Sequence, residues 1–185
     1  LFPDTTFTTP IATRSSFSDR KTYRAPTPKL ALSWRASDAA MLYAQASRGF
    51  KGGSWNFRGR QHPLDAETVT AYELGARTEW LGGKFGLNAN VFRNDYDDIQ
   101  LSVSVYDPVT QDYELDFVNA GRGITQGAEL EWHARIAPAL RWTGHVGYLD
   151  ARYDRYIDAG VNVAATRRFP NAPRWTAGSS LVGDL

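Results

Sequence analysis

Cysteine is absent from this sequence, so neither a disulfide framework nor a thiolate metal site is available to it. Three histidines in 185 residues leave little imidazole for metal or proton-transfer chemistry. No uninterrupted apolar run approaches the roughly eighteen residues that a membrane-spanning helix requires. Charge of one sign is not in excess: 21 Lys and Arg stand against 20 Asp and Glu, a net charge of +1, which carries no nucleic-acid signal. The sequence contains no G-x-S-x-G nucleophile elbow, no H-E-x-x-H zinc helix and no G-x-x-x-x-G-K phosphate loop. It is not expected to be an enzyme or to hold a cofactor. Leu1-Phe2-Pro3-Asp4 lacks the basic-then-apolar order of a signal peptide. The sequence is therefore expected to begin after processing or inside a longer protein.

What is present is alternation. Leu30, Leu32 and Trp34 share one face of a strand, and after a turn at Ser37-Asp38-Ala39 the residues Leu42, Ala44 and Ala46 continue it. Tyr72, Leu74, Ala76 and Trp80 are followed, across Gly82-Gly83, by Phe85, Leu87, Ala89 and Val91. Ala128, Leu130, Trp132 and Ala134 turn at Ala137-Pro138-Ala139 and meet Trp142, Gly144, Val146 and Tyr148. Strand side chains alternate with period two, so a one-residue slip in any turn would invert a face. The three matched turns predict an antiparallel meander with one continuous apolar surface. The other surface carries Glu73, Arg77, Glu79, Asn88, Asn90, Glu129, Glu131, His133, Arg135, Arg141 and His145.

Seven strands are expected: Pro28–Arg35, Ala40–Arg48, Thr68–Leu81, Lys84–Tyr96, Thr125–Arg135, Leu140–Arg152 and Arg174–Gly183. Leu1 to Thr27 reads as a loop region with a short strand around Thr5 to Arg14. Ile99 to Val118 alternates again and reads as a hairpin, turning at Asp107-Pro108, that extends two strands above the membrane. With a three-residue turn at Ala137-Pro138-Ala139, Trp132 falls opposite Gly144, an aromatic covering a cross-strand glycine. Turns of two or three residues alternate with long polar connections at Gly49 to Glu67, Asp97 to Ile124 and Arg152 to Pro173. Short turns at one end, long loops at the other, and aromatics near strand ends are the pattern of an outer-membrane barrel. In that reading Leu30, Leu32, Trp34, Leu74, Trp80, Leu87, Val91, Leu130, Trp132, Trp142, Val146 and Tyr148 face lipid.

Four blocks resemble TonB-dependent outer-membrane receptors: PKLALSWRASDAAMLYAQASRGFKGGSWN from Pro28, ETVTAYELGARTEWLGGKFGLNANVFRNDYDDIQ from Glu67, NAGRGITQGAELEW from Asn119 and FPNAPRWTAG from Phe169. The resemblance implies an all-β fold, with this sequence supplying about seven strands of a 22-stranded transmembrane β-barrel in the bacterial outer membrane. It further implies that residues 1–185 form one partial barrel domain, loop region 1–27 and strands and loops 28–185, without the plug domain or energy-coupling box of the full family pattern. The implied parent takes up a scarce solute such as a ferric siderophore with TonB-derived energy. Its implied partners are outer-membrane lipid, its own plug, the TonB complex and the solute, with no nucleic acid. A passive porin or structural barrel, and a soluble β-sheet binding module, are the alternatives.

Arg48, Lys51, Trp55, Phe57 and Arg58 combine cations with aromatics in one glycine-rich loop, and are the candidate ligand-binding residues, since guanidinium and ammonium groups donate to carboxylates and rings stack. The bland reading, that Arg48-Gly49-Phe50-Lys51-Gly52-Gly53 shapes the exit of a strand, is favoured. The loop with Arg152, Tyr153, Arg155, Tyr156, Arg167 and Arg168 reads equally as a contact for lipopolysaccharide phosphates or an acidic solute and as a plain solvated loop. The inward Glu and Arg residues are expected to form cross-strand charge ladders. His133 and His145 are expected to be hydrogen-bonded wall residues rather than metal ligands, and Asp95, Asp97 and Asp98 a solvated strand end.

Overall fold

A computed structural model describes residues 20–55, 63–108 and 111–183. Eight strands are described: β1 Lys29–Ser37, β2 Ala40–Lys51, β3 Glu67–Trp80, β4 Phe85–Asp107, β5 Asp112–Ala137, β6 Leu140–Asp158, the two-residue β7 Val161–Asn162 and β8 Trp175–Gly183. A single 3-10 turn, Ala164–Thr166, follows β7. Strands β1 to β6 pair antiparallel in chain order, and β8 pairs with β6. The expected short strand at Thr5 to Arg14 lies outside the described residues.

The three hairpin registers are those the alternation predicts. Leu30 pairs with Ala46, Leu32 with Ala44 and Trp34 with Leu42. Leu74 pairs with Val91, Ala76 with Ala89 and Trp80 with Phe85. Leu130 pairs with Val146 and Trp132 with Gly144. The two turns expected to hold three residues close with two, and a bulge at Arg35/Ser37 or Arg135/Ala137 restores the register. The β3–β4 turn needs left-handed backbone at Leu81, Gly82 and Gly83, with φ of 55°, 63° and 80°. Two consecutive glycines supply it without a Cβ penalty, as hairpin twist requires.

One expected extension is present and one boundary differs. Ile99 to Val118 extends two strands above the wall as the alternation predicts, β4 running on to Asp107 and β5 starting at Asp112 in one ladder. The break in alternation near Asp97 is a bulge, with register shifts between Tyr96 and Gln100 and Asp98 at φ 56°. A bulge bends a strand without ending it. The boundary that differs is at Arg152 to Pro173, which is only partly loop, since β6 continues to Asp158 and turns into β7.

Among the described residues the wall is a single layer with no core of its own. Leu32 is 66% exposed and Leu74 57% exposed. The buried apolar cluster instead lies above the wall, in the extension: Ile99, Leu101, Val103 and Ala120, packed by Tyr96, Val118, Tyr153, Tyr156 and Phe169. Burial there gives the hairpin a stability of its own, independent of lipid.

Rings repeatedly cover cross-strand glycines. A Cβ on Gly144 would strike the Trp132 indole, one on Gly75 would meet the Tyr43 ring at 2.5 Å, and one on Gly86 would strike His133. Gly144→Ala is expected to cost about 1–3 kcal/mol by overpacking. In a Trp132→Ala background the same change should cost much less. Urea unfolding from lipid vesicles measures both, and an equal cost in the two backgrounds would refute the contact.

Candidate functional site

Period two divides the wall into two chemically different faces. One face carries, row by row, Leu30, Ala46, Tyr72 and Arg93; Leu32, Ala44, Leu74, Val91, Ala128, Tyr148 and Trp175; then Trp34, Leu42, Ala76, Ala89, Leu130, Val146 and Ala177. Rings mark its two borders. Trp80 stacks on Phe85 at 5.5 Å and Trp132 meets Trp142 at 5.4 Å near the short turns, while Tyr148 meets Trp175 at 4.9 Å near the long connections. Trp80 to Tyr72 is eight residues, about 27 Å along the strand and roughly 20 Å along the membrane normal at a usual tilt, matching an apolar band about 25 Å tall. Among the described residues no helix is long and apolar enough to cross a membrane, which does not bear on strands.

Directly above that band the same face turns polar. Arg93 donates to Asp95 from Nε (3.1 Å) and a terminal nitrogen (2.8 Å), and to Gln126 at 3.4 Å. Gln126 donates to Asp150 at 3.2 Å, and Arg152 to the same carboxylate at 2.5 Å. Asp97 accepts from Arg122 at 2.7 Å. Asp95 and Asp97 are therefore held by arginines, not merely solvated: Asp95 by Arg93 two residues back on its own strand, and Asp97 by Arg122 on the neighbouring strand β5.

The opposite face is polar along the wall. Tyr43 donates to Glu73 at 2.6 Å and Gln45 to the other carboxylate oxygen at 2.7 Å. Asn90 donates to Glu129 at 3.1 Å and Asn94 to Thr125 at 3.0 Å. The expected ladder of opposite charges is not what the register builds: Arg135 pairs directly with Arg141, and Glu73 and Glu129 take phenol and amide donors instead. Cross-strand partners, not sequence neighbours, decide such contacts. His133 lies over Gly86 and His145 over Gly178, each as a flat ring filling a glycine gap. No metal-holding group of His, Asp and Glu occurs among the described residues.

Of the five candidate ligand residues three are described, and Arg48 does not share a face with Lys51. Arg48 pairs with Thr70 and has the parity of Leu42, Ala44 and Ala46, so its side chain leaves the group for the apolar face. Lys51 has the polar-face parity and reaches Glu67 at 3.4 Å. Trp55 bridges to Pro63. Phe57 and Arg58 lie outside the described residues. Between Lys51 and Trp55 the loop is shaped by contact: a Cβ on Gly53 would strike the Leu64 carbonyl and meet the Tyr23 ring at 2.6 Å. Tyr23 donates to that same carbonyl at 2.7 Å, and Lys21 pairs with Asp65 at 2.7 Å. Asn119 and Gln100 donate to the Asp65 carbonyl at 3.0 Å, tying this loop to the β4–β5 extension.

Sequence reasoning missed a strap over that extension. The end of β6, with β7 and the 3-10 turn, crosses the Ile99–Leu101–Val103 face and docks on the free edge of β4. The Ser104 amide donates to Asp158 at 2.7 Å, the Ser104 carbonyl accepts from Ala159 at 2.9 Å, and Tyr156 donates to the Ser102 carbonyl at 3.2 Å. Arg167 reaches Asp158 at 2.7 Å and lies over the Tyr156 ring, while Phe169 stacks on Tyr153 at 4.2 Å. The basic, aromatic loop read from sequence as contact or solvent is thus a packed cover. The one available signal was its density of Tyr, Phe and Arg beside an alternating hairpin.

The Ser104 amide, and after it Arg167, hold the Asp158 carboxyl below its ordinary value of 3.8, against the opposing effect of burial. A depressed carboxylate stabilises the docked strap above the ordinary value, and that contribution fades as pH falls below it. Relative to its intrinsic rate at each pH, amide exchange at Ser104 should therefore be slow near neutrality and faster below about pH 4. Asp158→Ala should raise it about tenfold at neutral pH and flatten the acid limb, since a hydrogen bond to a charged group is lost. Unchanged exchange in that variant would refute the clamp.

With this geometry in place, comparison with known proteins is specific. The family model described as "TonB dependent receptor-like, beta-barrel" matches residues 3–184. The metal-pseudopaline receptor CntO of Pseudomonas aeruginosa is 28% identical over 167 residues, 90% of this chain and 22% of the relative. Among solved structures, the ferric yersiniabactin uptake receptor FyuA from Yersinia pestis superposes with a TM-score of 0.66 at 28% identity, over 85% of this chain and 22% of that one. The siderophore receptor PiuA from Acinetobacter baumannii gives 0.64 at 16% identity, over 84% and 23%, a likeness of fold. The chain spans about a fifth of the length of these relatives. They are outer-membrane receptors, not enzymes, and the soluble-module alternative falls with the match. The two-faced wall and the family match lead to one conclusion: this chain belongs to the TonB-dependent receptor β-barrel family and is a bacterial outer-membrane protein.

Proposed function

We propose that this chain forms part of the wall and outer mouth of a 22-stranded receptor that imports a scarce metal chelate, such as a ferric siderophore, with energy delivered by TonB. In the parent protein a plug domain would fill the lumen, contacting the Glu73, Asn90 and Glu129 face, while the strapped β4–β5 extension and the loop of Lys51 and Trp55 would meet the solute. The observation that carries this reading is the match of residues 3–184 to the receptor barrel family. The names of two relatives supply the solute class: one is a metal-pseudopaline receptor and the other takes up ferric yersiniabactin. The Lys51 ammonium and the Trp55 ring suit an anionic chelate, one by charge and the other by stacking.

Uptake of radiolabelled ferric siderophores by cells producing the full-length receptor tests this. Uptake should cease when the proton-motive force is collapsed. Uptake that continues in de-energised cells, scaling with outside concentration, would identify a passive porin. Lys51→Ala should raise the half-saturating concentration about fivefold, the size of one exposed charge-assisted contact.

A further inference from the structure

Leu64 and Asp65 lie on the returning limb of the loop that carries Trp55, and neither belongs to a strand; β3 begins at Glu67. Backbone donors and acceptors outside a ladder must be satisfied by side chains, turns or water. All four groups of these two residues have protein partners. The Leu64 amide donates to the Ser54 carbonyl at 2.7 Å, and the Leu64 carbonyl accepts from the Tyr23 hydroxyl at 2.7 Å. The Asp65 amide donates to the Asn119 side-chain oxygen at 2.8 Å, and the Asp65 carbonyl accepts from the Asn119 and Gln100 side chains at 3.0 Å.

Asn119 thus offers Asp65 an acceptor and a donor together, as a paired strand would. Its second N–H donates to the Asp98 carbonyl at 2.8 Å, at the bulge where Asp98 has φ 56°. Both donors of the carboxamide are then in use. Gln100 stands directly opposite Asn119 in the β4–β5 ladder. Its side-chain amide also reaches the Gly52 carbonyl at 3.2 Å, on the outgoing limb of the same loop. Its backbone amide donates at 3.2 Å to Glu67, the carboxylate that Lys51 also reaches. Two facing carboxamides of the extension therefore hold Gly52 on one limb and Asp65 on the other. Trp55 follows Gly52 and Ser54 on the outgoing limb and bridges to Pro63 on the returning one. These bonds span 35 to 54 residues of sequence, so they belong to the assembled mouth and not to a local turn.

We infer that Asn119 and Gln100 are positioning residues for solute capture: they brace both limbs of the Trp55 loop against the β4–β5 extension, so that the Trp55 ring and the Lys51 ammonium are presented in a fixed geometry. The capture role rests on the reading of that loop as a solute contact; the brace itself does not. Neither carboxamide has to touch the solute. A loop ordered before binding loses less freedom on binding, so the brace acts on affinity and not on the later, energy-driven step.

The test uses the full-length receptor, in lipid vesicles and in cells. Without any solute, amide exchange at Leu64 should accelerate about tenfold in Asn119→Ala, although Leu64 donates to Ser54 and not to Asn119. Exchange along Leu74–Trp80 of the wall should not change. Asn119→Asp, which keeps the acceptor but sets a carboxylate against the Asp65 and Asp98 carbonyls, should match the alanine variant. Gln100→Ala should give a smaller rise of about threefold, and it decides the brace if the Asn119 variants do not assemble. In energised cells supplied with radiolabelled ferric tris-catecholate, tris-hydroxamate and citrate chelates, Asn119→Ala should raise the half-saturating concentration about tenfold at an unchanged maximal rate per receptor. Trp55→Ala should add less than about twofold in that background, since the ring is no longer held.

Unchanged exchange at Leu64 in the variants would overturn the brace. Faster exchange with an unchanged half-saturating concentration would overturn its role in capture, as would a loss confined to the maximal rate. A wild-type receptor that imports none of the chelates would defeat the transport reading and the capture role with it, while the exchange result still decides the brace.

Discussion

Arginine in place of Val91 should destabilise the membrane-inserted receptor by about 1–2 kcal/mol, between the interfacial and the midplane cost of a charge on the lipid face. Val91 is 52% exposed, pairs with Leu74 and Ala128, and lies in the row of Tyr148 and Trp175, one row below Arg93. In a soluble sheet an exposed valine would accept arginine with little loss, because water solvates the guanidinium. In hydrocarbon the charge has no such partner, and the long side chain reaches water only by snorkelling or thinning the bilayer. Asn88, three residues away in the same strand, has the opposite parity, so Asn88→Arg should change stability by less than about 0.5 kcal/mol, as a substitution on a wetted face. The pair is measured by denaturant unfolding of the receptor in lipid vesicles. Equal effects at the two positions would mean that the leucine and tryptophan face does not look into lipid.

That contrast rests on what alternation alone determined. A side chain's face follows from parity, and parity follows from the length of a turn, so Leu32 opposite Ala44, Leu74 opposite Val91 and Trp132 opposite Gly144 were all legible in the sequence. The same rule separates two of the candidate ligand residues. Arg48 and Lys51 are near neighbours in a loop-like string, but they differ in parity and project to opposite faces of β2. What the sequence did not show were contacts without a period. The bulge at Asp98 breaks the alternation and looks like the end of a strand. Asp158 meeting Ser104, and Phe169 stacking on Tyr153, join residues whose pairing depends on how the strap crosses the extension. Glu73 taking Tyr43 and Gln45, rather than an arginine, depends on register across two strands at once.

Leu101→Ala should remove about 2–5 kcal/mol from the β4–β5 extension, with little effect on the wall. Leu101 is 9% exposed, packs between Ile99 and Val103, and its side chain closes over Gly121, where a Cβ would meet it at 2.7 Å. The cavity left by alanine cannot be refilled by Gly121, which has no side chain to move inward. The cluster contains four buried residues, so a loss of this size is comparable to all the apolar burial holding the strap down. The extension should then open as a unit while the wall, stabilised by its ladder and by lipid, stays paired, since cooperative segments unfold separately when their contacts are separate. Limited proteolysis reads the outcome: Leu101→Ala should expose new cleavage sites between residues 99 and 118. Amide protection along Leu74–Trp80 should not change. Protection lost in both places would join the extension and the wall into one cooperative unit. Protection kept in both would show that the outer cluster does not hold the strap.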